Sequence, residues 1–315
     1  MRTTMRGCIL AASCLIAVGL MAGGLANRAS AAAVEAKKEE LSESYRGSKR
    51  DDDAYQKIAP FKLFDNLHYV GPGYVSVWLV PTPAGIILLD TAQEPYVDHV
   101  LDSIKKSGFD VKDIKYIVLS HGHLDHVGGA ARIQELSGAR VVALAEDWDL
   151  IERIGTTPGR NGAALPRMPK RDMVVKEGDT LTLGNQTLKI YKHPGHTAGS
   201  LSAEFTVYDN GRAHKALMFG GPGPRGGIAG ATQFQQSMDR VAAIPGIEVG
   251  VNVHSWLASY PFPNGGILER QIKLKTRKAG EPHPFVDAAS WQQWVKMAQV
   301  GAVKYLADAK AKGAP

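Results

Sequence analysis

Ser120-His121-Gly122-His123-Leu124-Asp125-His126-Val127-Gly128-Gly129 places four side chains able to bind a metal within six residues. The stretch follows directly on residues 116–119, a short apolar run that reads as a buried strand. Glycines beside the candidates let the backbone turn tightly enough for the side chains to converge. Imidazole suits zinc, and a carboxylate completes a site with room left for water. A lone histidine is ordinarily a surface or hydrogen-bonded residue. Four candidate ligands in six positions do not fit that reading.

Two later stretches supply more of the same chemistry. His193-Pro194-Gly195-His196-Thr197 forms a turn after a strand, and the strand read over residues 248–253 delivers His254 at its end. Residues from three strand ends can meet at one edge of a sheet sandwich, so His121, His123, Asp125, His126, His196 and His254 are the candidate metal ligands. Asp125 is also the candidate catalytic group, orienting a nucleophile; its plainer role would be a turn-capping aspartate. His68, His99, His214 and His283 lack such company and read as surface or supporting residues. His193 reads as a hydrogen-bonding support for the site rather than a ligand.

Short β-branched and aromatic runs at 67–70, 74–80 and 86–89, separated by Gly-Pro-Gly and Pro-Thr-Pro-Ala-Gly turns, predict an antiparallel meander. Helical spacing follows over 95–107, then after the first motif over 130–136 and 146–154, with a strand at 140–144 between them. Residues 155–170 read as a loop whose role the text does not reveal. Strand texture resumes at 173–175, 180–183, 187–191, 201–207 and 215–219, followed by helices at 233–243 and 288–311. Two strand-rich halves, each ending in helices, predict an α/β chain (α+β in some schemes) folded as a four-layer αββα sandwich.

The N-terminus carries Arg2 and Arg6, an uncharged apolar run over residues 9–25, and Ala29-Ser30-Ala31, the pattern of a cleaved signal peptide over 1–31. A lipid-anchored reading at Cys14 fits less well, because the apolar run continues past it. Residues 32–57 read as a flexible charged arm and 58–315 as the folded domain with its C-terminal helix. Cys8 and Cys14 both leave with the leader, so the processed chain has neither disulfide nor thiolate ligand. Loss of Arg2, Arg6 and Arg28 with no acid takes the formal charge from +6 to +3. No arginine-rich stripe marks a nucleic-acid surface, and no stable membrane insertion is expected after cleavage. The expected partner is a small-molecule substrate, in the periplasm or outside the cell; oligomeric state is not legible.

His-x-His-x-Asp-His, the Pro-Gly-His-Thr turn and a late strand-end histidine together resemble the metallo-β-lactamase superfamily, over residues 61–254. The resemblance implies two Zn2+ ions, one held by His121, His123 and His196, the other by Asp125, His126 and His254. Gly221, in Phe219-Gly220-Gly221-Pro222, stands where many branches place a bridging aspartate. With no cysteine available, the pattern is most similar to subclass three of the class B enzymes. Members of that subclass place serines or threonines after this point to hold a drug carboxylate. This chain has Pro222-Gly223-Pro224-Arg225-Gly226-Gly227 and no hydroxyl until Thr232, so Arg225 is a candidate substrate-binding residue, or simply a solvated one.

The expected activity is exported, zinc-dependent attack of hydroxide on a carbonyl, with β-lactam amides as the leading substrate. Another amide, a lactone or an ester is the alternative hydrolase reading. A mononuclear iron dioxygenase and a non-catalytic zinc-binding envelope protein are the readings from other classes.

Overall fold

The computed structural model describes residues 41–157, 164, 167–254 and 265–313. The expected leader, residues 32–40 of the arm, and positions 158–163 and 165–166 of the 155–170 loop lie outside the described residues. In chain order the elements are α1 (Leu41–Ser44), α2 (Asp53–Gln56), β1 (Phe61–Phe64), β2 (Leu67–Tyr69), β3 (Trp78–Thr82), β4 (Gly85–Leu89), α3 (Val97–Lys106) and β5 (Ile114–Val118). The first motif forms α4 (Leu124–Val127); α5 (Ala130–Ser137), β6 (Arg140–Leu144), α6 (Ala145–Thr156) and β7 (Met173–Val175) follow. The second half comprises β8 (Thr180–Leu183), β9 (Gln186–Lys192), β10 (Leu201–Asp209), β11 (Arg212–Phe219), α7 (Gly227–Ala242), β12 (Val249–Asn252), α8 (Ile267–Thr276) and α9 (Ala288–Ala311).

One sheet runs β1-β2-β3-β4-β5-β6-β7 and the other β12-β11-β10-β9-β8. β2, β3 and β4 are the predicted antiparallel meander, β1 adds an unpredicted strand beside β2, and β4 to β7 pair in parallel. Side chains alternate across each strand. Ile87 and Leu89 of β4 therefore enter the core between the sheets, beside Ile190 and Met218, whereas Ile86 and Leu88 face Val97, Ile133 and Trp148 in a second core. On the far side Leu217 and Phe219 of β11 pack with Phe234 of α7 and Trp294 of α9. Three cores between four layers give the αββα sandwich expected from the strand-rich halves.

Several bounds differ from the sequence expectation. The third strand begins at Trp78 rather than Tyr74: Val70 N–H still donates to Val77 O (2.9 Å), but Ser76 N–H turns away to donate to Val253 O (2.9 Å). The segment 74–76 is thus drawn toward the end of β12. Helix α7 starts six residues before the expected 233: Gly226 and Gly227 take positive φ, and Gly230 sits where a Cβ would lie 1.5 Å from Arg225 O. That glycine-rich text reads as loop but is a close-packed first turn. Helix α8 is an element without a counterpart among the expected ones.

The boundary at residue 58 is corrected as well. Residues 41–57, expected as a loose arm, belong to the same folded unit as the rest of the described chain. Gln56 is fully buried, and its amide nitrogen lies 2.7, 3.0 and 3.2 Å from the carbonyl oxygens of Tyr45, Lys49 and Arg50. Tyr45 is buried against Tyr55 (ring centroids 4.7 Å apart), and Ser42 bonds Glu269 of α8 through both its N–H (2.7 Å) and its hydroxyl. A few anchors outweigh the charged composition. No described helix is long and apolar enough to cross a membrane.

Candidate metal centre

Three strand ends deliver the donors. His121 and His123 follow β5, and Asp125 and His126 sit on the single turn of α4. His196 lies in the turn between β9 and β10, and His254 lies two residues past β12. The ligand atoms of His121, His123 and His196 all lie within 4.8 Å of one another, as do those of His121, Asp125 and His126. His123 Nδ1 is 3.1 Å from His196 Nε2. His126 Nε2 is 3.3 Å from His254 Nε2 and 3.5 Å from Asp125 Oδ2, which is 3.9 Å from His254 Nε2. All six expected ligands are brought together.

The opposite ring nitrogens show which lone pairs face inward. His126 Nδ1 donates to Asp90 Oδ2 (2.8 Å), His196 Nδ1 to Gly223 O (2.7 Å) and His254 Nδ1 to Tyr74 O (2.9 Å). Ser120 Oγ donates to Asp90 Oδ2 (2.7 Å) and so accepts from His121 Nδ1 (3.1 Å). His121 Nε2 is buried with no hydrogen-bond partner. The inward nitrogens of His126 and His254 then meet lone pair to lone pair at 3.3 Å, an arrangement a cation between them makes favourable. With five imidazoles, one carboxylate and no thiolate, the donor set fits zinc.

Electrostatics keep four of the five imidazoles unprotonated and the carboxylate ionised at neutral pH. Burial, then the neighbouring imidazoles, hold His121 well below the ordinary histidine range. Burial pushes His123 to about 4, His196 to about 2 and His254 to about 4. His126 differs: burial would lower it, but Asp125 and Asp90 raise it. Burial would raise Asp125, yet His126, His254 and His123 carry it below the ordinary carboxylate range.

Two buried carboxylates hold the frame, and the sequence reading assigned neither. Asp90, just past β4, accepts from Ser120 N–H (2.7 Å) as well as from Ser120 Oγ and His126. Asp147 on α6 accepts from Gly122 N–H (2.8 Å), Thr197 Oγ1 (2.8 Å) and Gly199 N–H (3.0 Å), tying the first ligand turn to the second. A carboxylate closing an apolar strand, as Asp90 does after residues 86–89, was the available signal for the first. Asp147 left none, since it lies in an ordinary helical stretch.

The remaining expectations sort by distance from the donors. Arg225 lines the cavity over them, along with Tyr74 and Pro222. Thr232 Oγ1 is bonded within its helix to Ile228 O (2.8 Å). A Cβ on Gly221 would meet His196 Cβ at 3.3 Å, so the position expected for a bridging aspartate does adjoin the site. His283 Nε2 donates to Leu63 O (2.9 Å) away from the donors.

His193 is fully buried, and its Nδ1 is 2.8 Å from Ser202 Oγ, which accepts from Gly220 N–H at 3.2 Å. It thus supports the backbone next to Gly221 rather than a ligand ring. Burial pushes its pKa to about 3, below the value of about 6.5 in an unfolded chain. The unfolded state therefore takes up a proton that the folded state refuses. The stability this residue contributes is complete above pH 6.5 and is lost as the pH falls toward 3. Between pH 7 and 5 that share is about 2 kcal/mol. In chelator, His193→Asn is expected to lose correspondingly less stability than the parent over this interval, measured by urea unfolding at both pH values. Equal losses would remove His193 from the acid response.

Comparison with known proteins follows the same lines. A family model described as the metallo-beta-lactamase superfamily matches residues 70–208. Among solved structures, BJP-1, a subclass B3 metallo-beta-lactamase of Bradyrhizobium japonicum, superposes with TM-score 0.71 at 32% identity, covering 84% of this chain and 99% of that one. FEZ-1 metallo-beta-lactamase from Legionella gormanii gives TM-score 0.71 at 23% identity, over 80% and 97% of the two chains, a likeness of fold. Among curated relatives, a hydroxyacylglutathione hydrolase of Rhodopseudomonas palustris is 29% identical over 119 residues, 38% of either chain. Another, of Cereibacter sphaeroides, is 27% identical over 165 residues, covering 52% of this chain and 56% of that protein. The chain thus spans less than two thirds of the length of these curated relatives.

Proposed function

The chain belongs to the metallo-β-lactamase superfamily and is a metal-dependent hydrolase; on that premise we propose that it is an exported zinc enzyme that opens β-lactam amides. The observation that carries the reading is the donor set, five histidines and Asp125 with no thiolate, and glycine rather than a carboxylate at position 221. The 32% identity to a subclass B3 enzyme over 99% of its chain supports the substrate class.

Zinc held by these residues supplies a Lewis acid and a water acidified to a pKa of about 7. The protein's part is orientation. Carbonyls of Tyr74 and Gly223 and the carboxylate of Asp90 fix the imidazole rings. Asp125, the single carboxylate among the six donors, stays ionised and orients the attacking water. Tyr74, kept protonated chiefly by burial and then by the Asp125 charge, forms part of the cavity wall, and Arg225 offers a cation.

The test is hydrolysis of a chromogenic cephalosporin and a carbapenem by the zinc-loaded protein, with a chelator-treated control. Rapid, chelator-sensitive turnover is expected. Absence of turnover with zinc bound would sink the β-lactam reading and favour an ester, thioester or lactone, a reading to which the partial match to hydroxyacylglutathione hydrolases lends support. Metal analysis finding iron would instead favour oxygenase chemistry. Export is checked on the same preparation by the mass of the chain recovered from the cell envelope, expected to begin after Ala31.

A further inference from the structure

Residues 41–57 belong to none of the three hydrophobic cores, yet they grip the Gly71-Pro72-Gly73-Tyr74 turn. Gly73 N–H donates to Gln56 O (2.7 Å), and the Tyr45 ring lies so close that a Cβ added to Gly73 would stand 1.7 Å from Tyr45 Cδ1. The Tyr74 ring packs on the Tyr96 ring (centroids 5.7 Å apart), whose hydroxyl donates to Asp53 Oδ1 of α2 (2.7 Å). Gln56 is the anchor of the segment. Fully buried, it fastens the carbonyls of Tyr45, Lys49 and Arg50 with one amide nitrogen, which fixes the bends that present Tyr45 and Gln56 O to Gly73.

The gripped turn ends on a carbonyl that the metal centre uses. Tyr74 O accepts from His254 Nδ1 (2.9 Å), and two residues on Ser76 N–H donates to Val253 O (2.9 Å). A carbonyl can only accept, so this bond requires the His254 proton on Nδ1 and keeps the lone pair on Nε2. Two groups opposite pull the other way. His126 Nε2 at 3.3 Å and Asp125 Oδ2 at 3.9 Å both favour a proton on His254 Nε2 in the metal-free protein. A protonated Nε2 has no lone pair for a metal. The balance between the two tautomers therefore depends on how firmly the Tyr74 carbonyl is held.

We propose that residues 41–57 are a positioning element for one half of the centre. Tyr45 and Gln56, acting through Gly73 and the Tyr74 carbonyl, hold His254 in its metal-binding tautomer and so set the zinc affinity of the Asp125–His126–His254 cluster. The three-histidine cluster takes its orientation elsewhere, from Ser120 Oγ on His121 and Gly223 O on His196. Loosening the segment should therefore weaken one metal position and spare the other. The inference rests on the zinc reading of the centre but not on the identity of the substrate.

Two measurements on the full chain test it, with Gln56→Ala and Tyr45→Ala as the loosening variants and Tyr45→Phe, which keeps the ring over Gly73, as the control. The first is zinc titration against a chromophoric chelator that resolves the two binding steps. In both alanine variants the step at the Asp125–His126–His254 cluster should weaken about tenfold, the lower end of what losing an orienting partner costs, because the carbonyl is loosened rather than removed. The other step should keep its parental affinity, and Tyr45→Phe should match the parent in both. The second is the tautomer of His254 in the chelated protein at neutral pH, read from its ring-nitrogen chemical shifts. Nδ1–H is expected in the parent and in Tyr45→Phe, with a shift toward Nε2–H in the alanine variants. Should Gln56→Ala not accumulate as folded protein, Tyr45→Ala carries the same test. A parent that binds a single zinc would fail the two-zinc reading, and the tautomer would then decide the inference alone. A parental His254 tautomer in the alanine variants, equal weakening of both zinc steps, or no change in either overturns it.

Discussion

Replacing His123 with alanine is expected to abolish zinc retention at the three-histidine cluster and to reduce hydrolysis on the order of 10³-fold or more. His123 contributes one of the nitrogens that converge with those of His121 and His196, its Nδ1 lying 3.1 Å from His196 Nε2. Two remaining imidazoles cannot by themselves complete a four-coordinate site that also keeps a position for water. The ring is only partly buried and belongs to none of the three hydrophobic cores, so the substitution leaves the frame standing. Activity and fold therefore separate: metal content and turnover fall together while the unfolding transition of the chelated protein stays near that of the chelated parent. Removing metal from the parent should reproduce the loss, and added zinc should restore the parent but not the variant. A variant that retained full activity would overturn the assignment of the centre.

The centre was legible because its ligands are crowded in sequence, and the sheets because burial on both faces leaves near-continuous apolar text. Residues 86–89 and 140–144 read as strands for that reason, and the structure places them in β4 and β6 with side chains divided between two cores. What stayed hidden depends on partners far away in the chain. The 41–57 segment looks like a solvated arm until Gln56 is seen clamping the carbonyls around it and Ser42 is seen bonded to Glu269. The orienting groups of the ligands are hidden for the same reason. The carbonyl holding His254 belongs to Tyr74, 180 residues earlier, and a backbone carbonyl carries no sequence signature. The early break of the third strand and the seating of His254 are one event, since residues 74–76 leave the ladder to meet 253–254.

Asp90 carries the largest burden among these hidden residues, and its substitutions should show it. The carboxylate is 1% exposed, has positive φ (61°), and satisfies Ser120 N–H, Ser120 Oγ and His126 Nδ1 within 2.8 Å. Asp90→Ala leaves three buried donors without an acceptor and should cost about 3 kcal/mol or more in unfolding free energy. Asp90→Asn is the sharper experiment, because asparagine fills the same volume and tolerates the same backbone conformation. Its Oδ1 can still accept from Ser120 N–H, but its NH2 then faces His126 Nδ1. That nitrogen must become an acceptor, which moves the ring proton to Nε2, the atom that faces Asp125 and His254. A protonated Nε2 has no lone pair for a metal. Zinc affinity at the Asp125–His126–His254 cluster should fall about 10- to 100-fold, the usual effect of losing an orienting carboxylate, with a much smaller change at the other cluster. Competition with a chromophoric chelator, resolving the two binding steps, measures this directly. Two steps of parental affinity in Asp90→Asn would show that His126 does not depend on Asp90 for its tautomer.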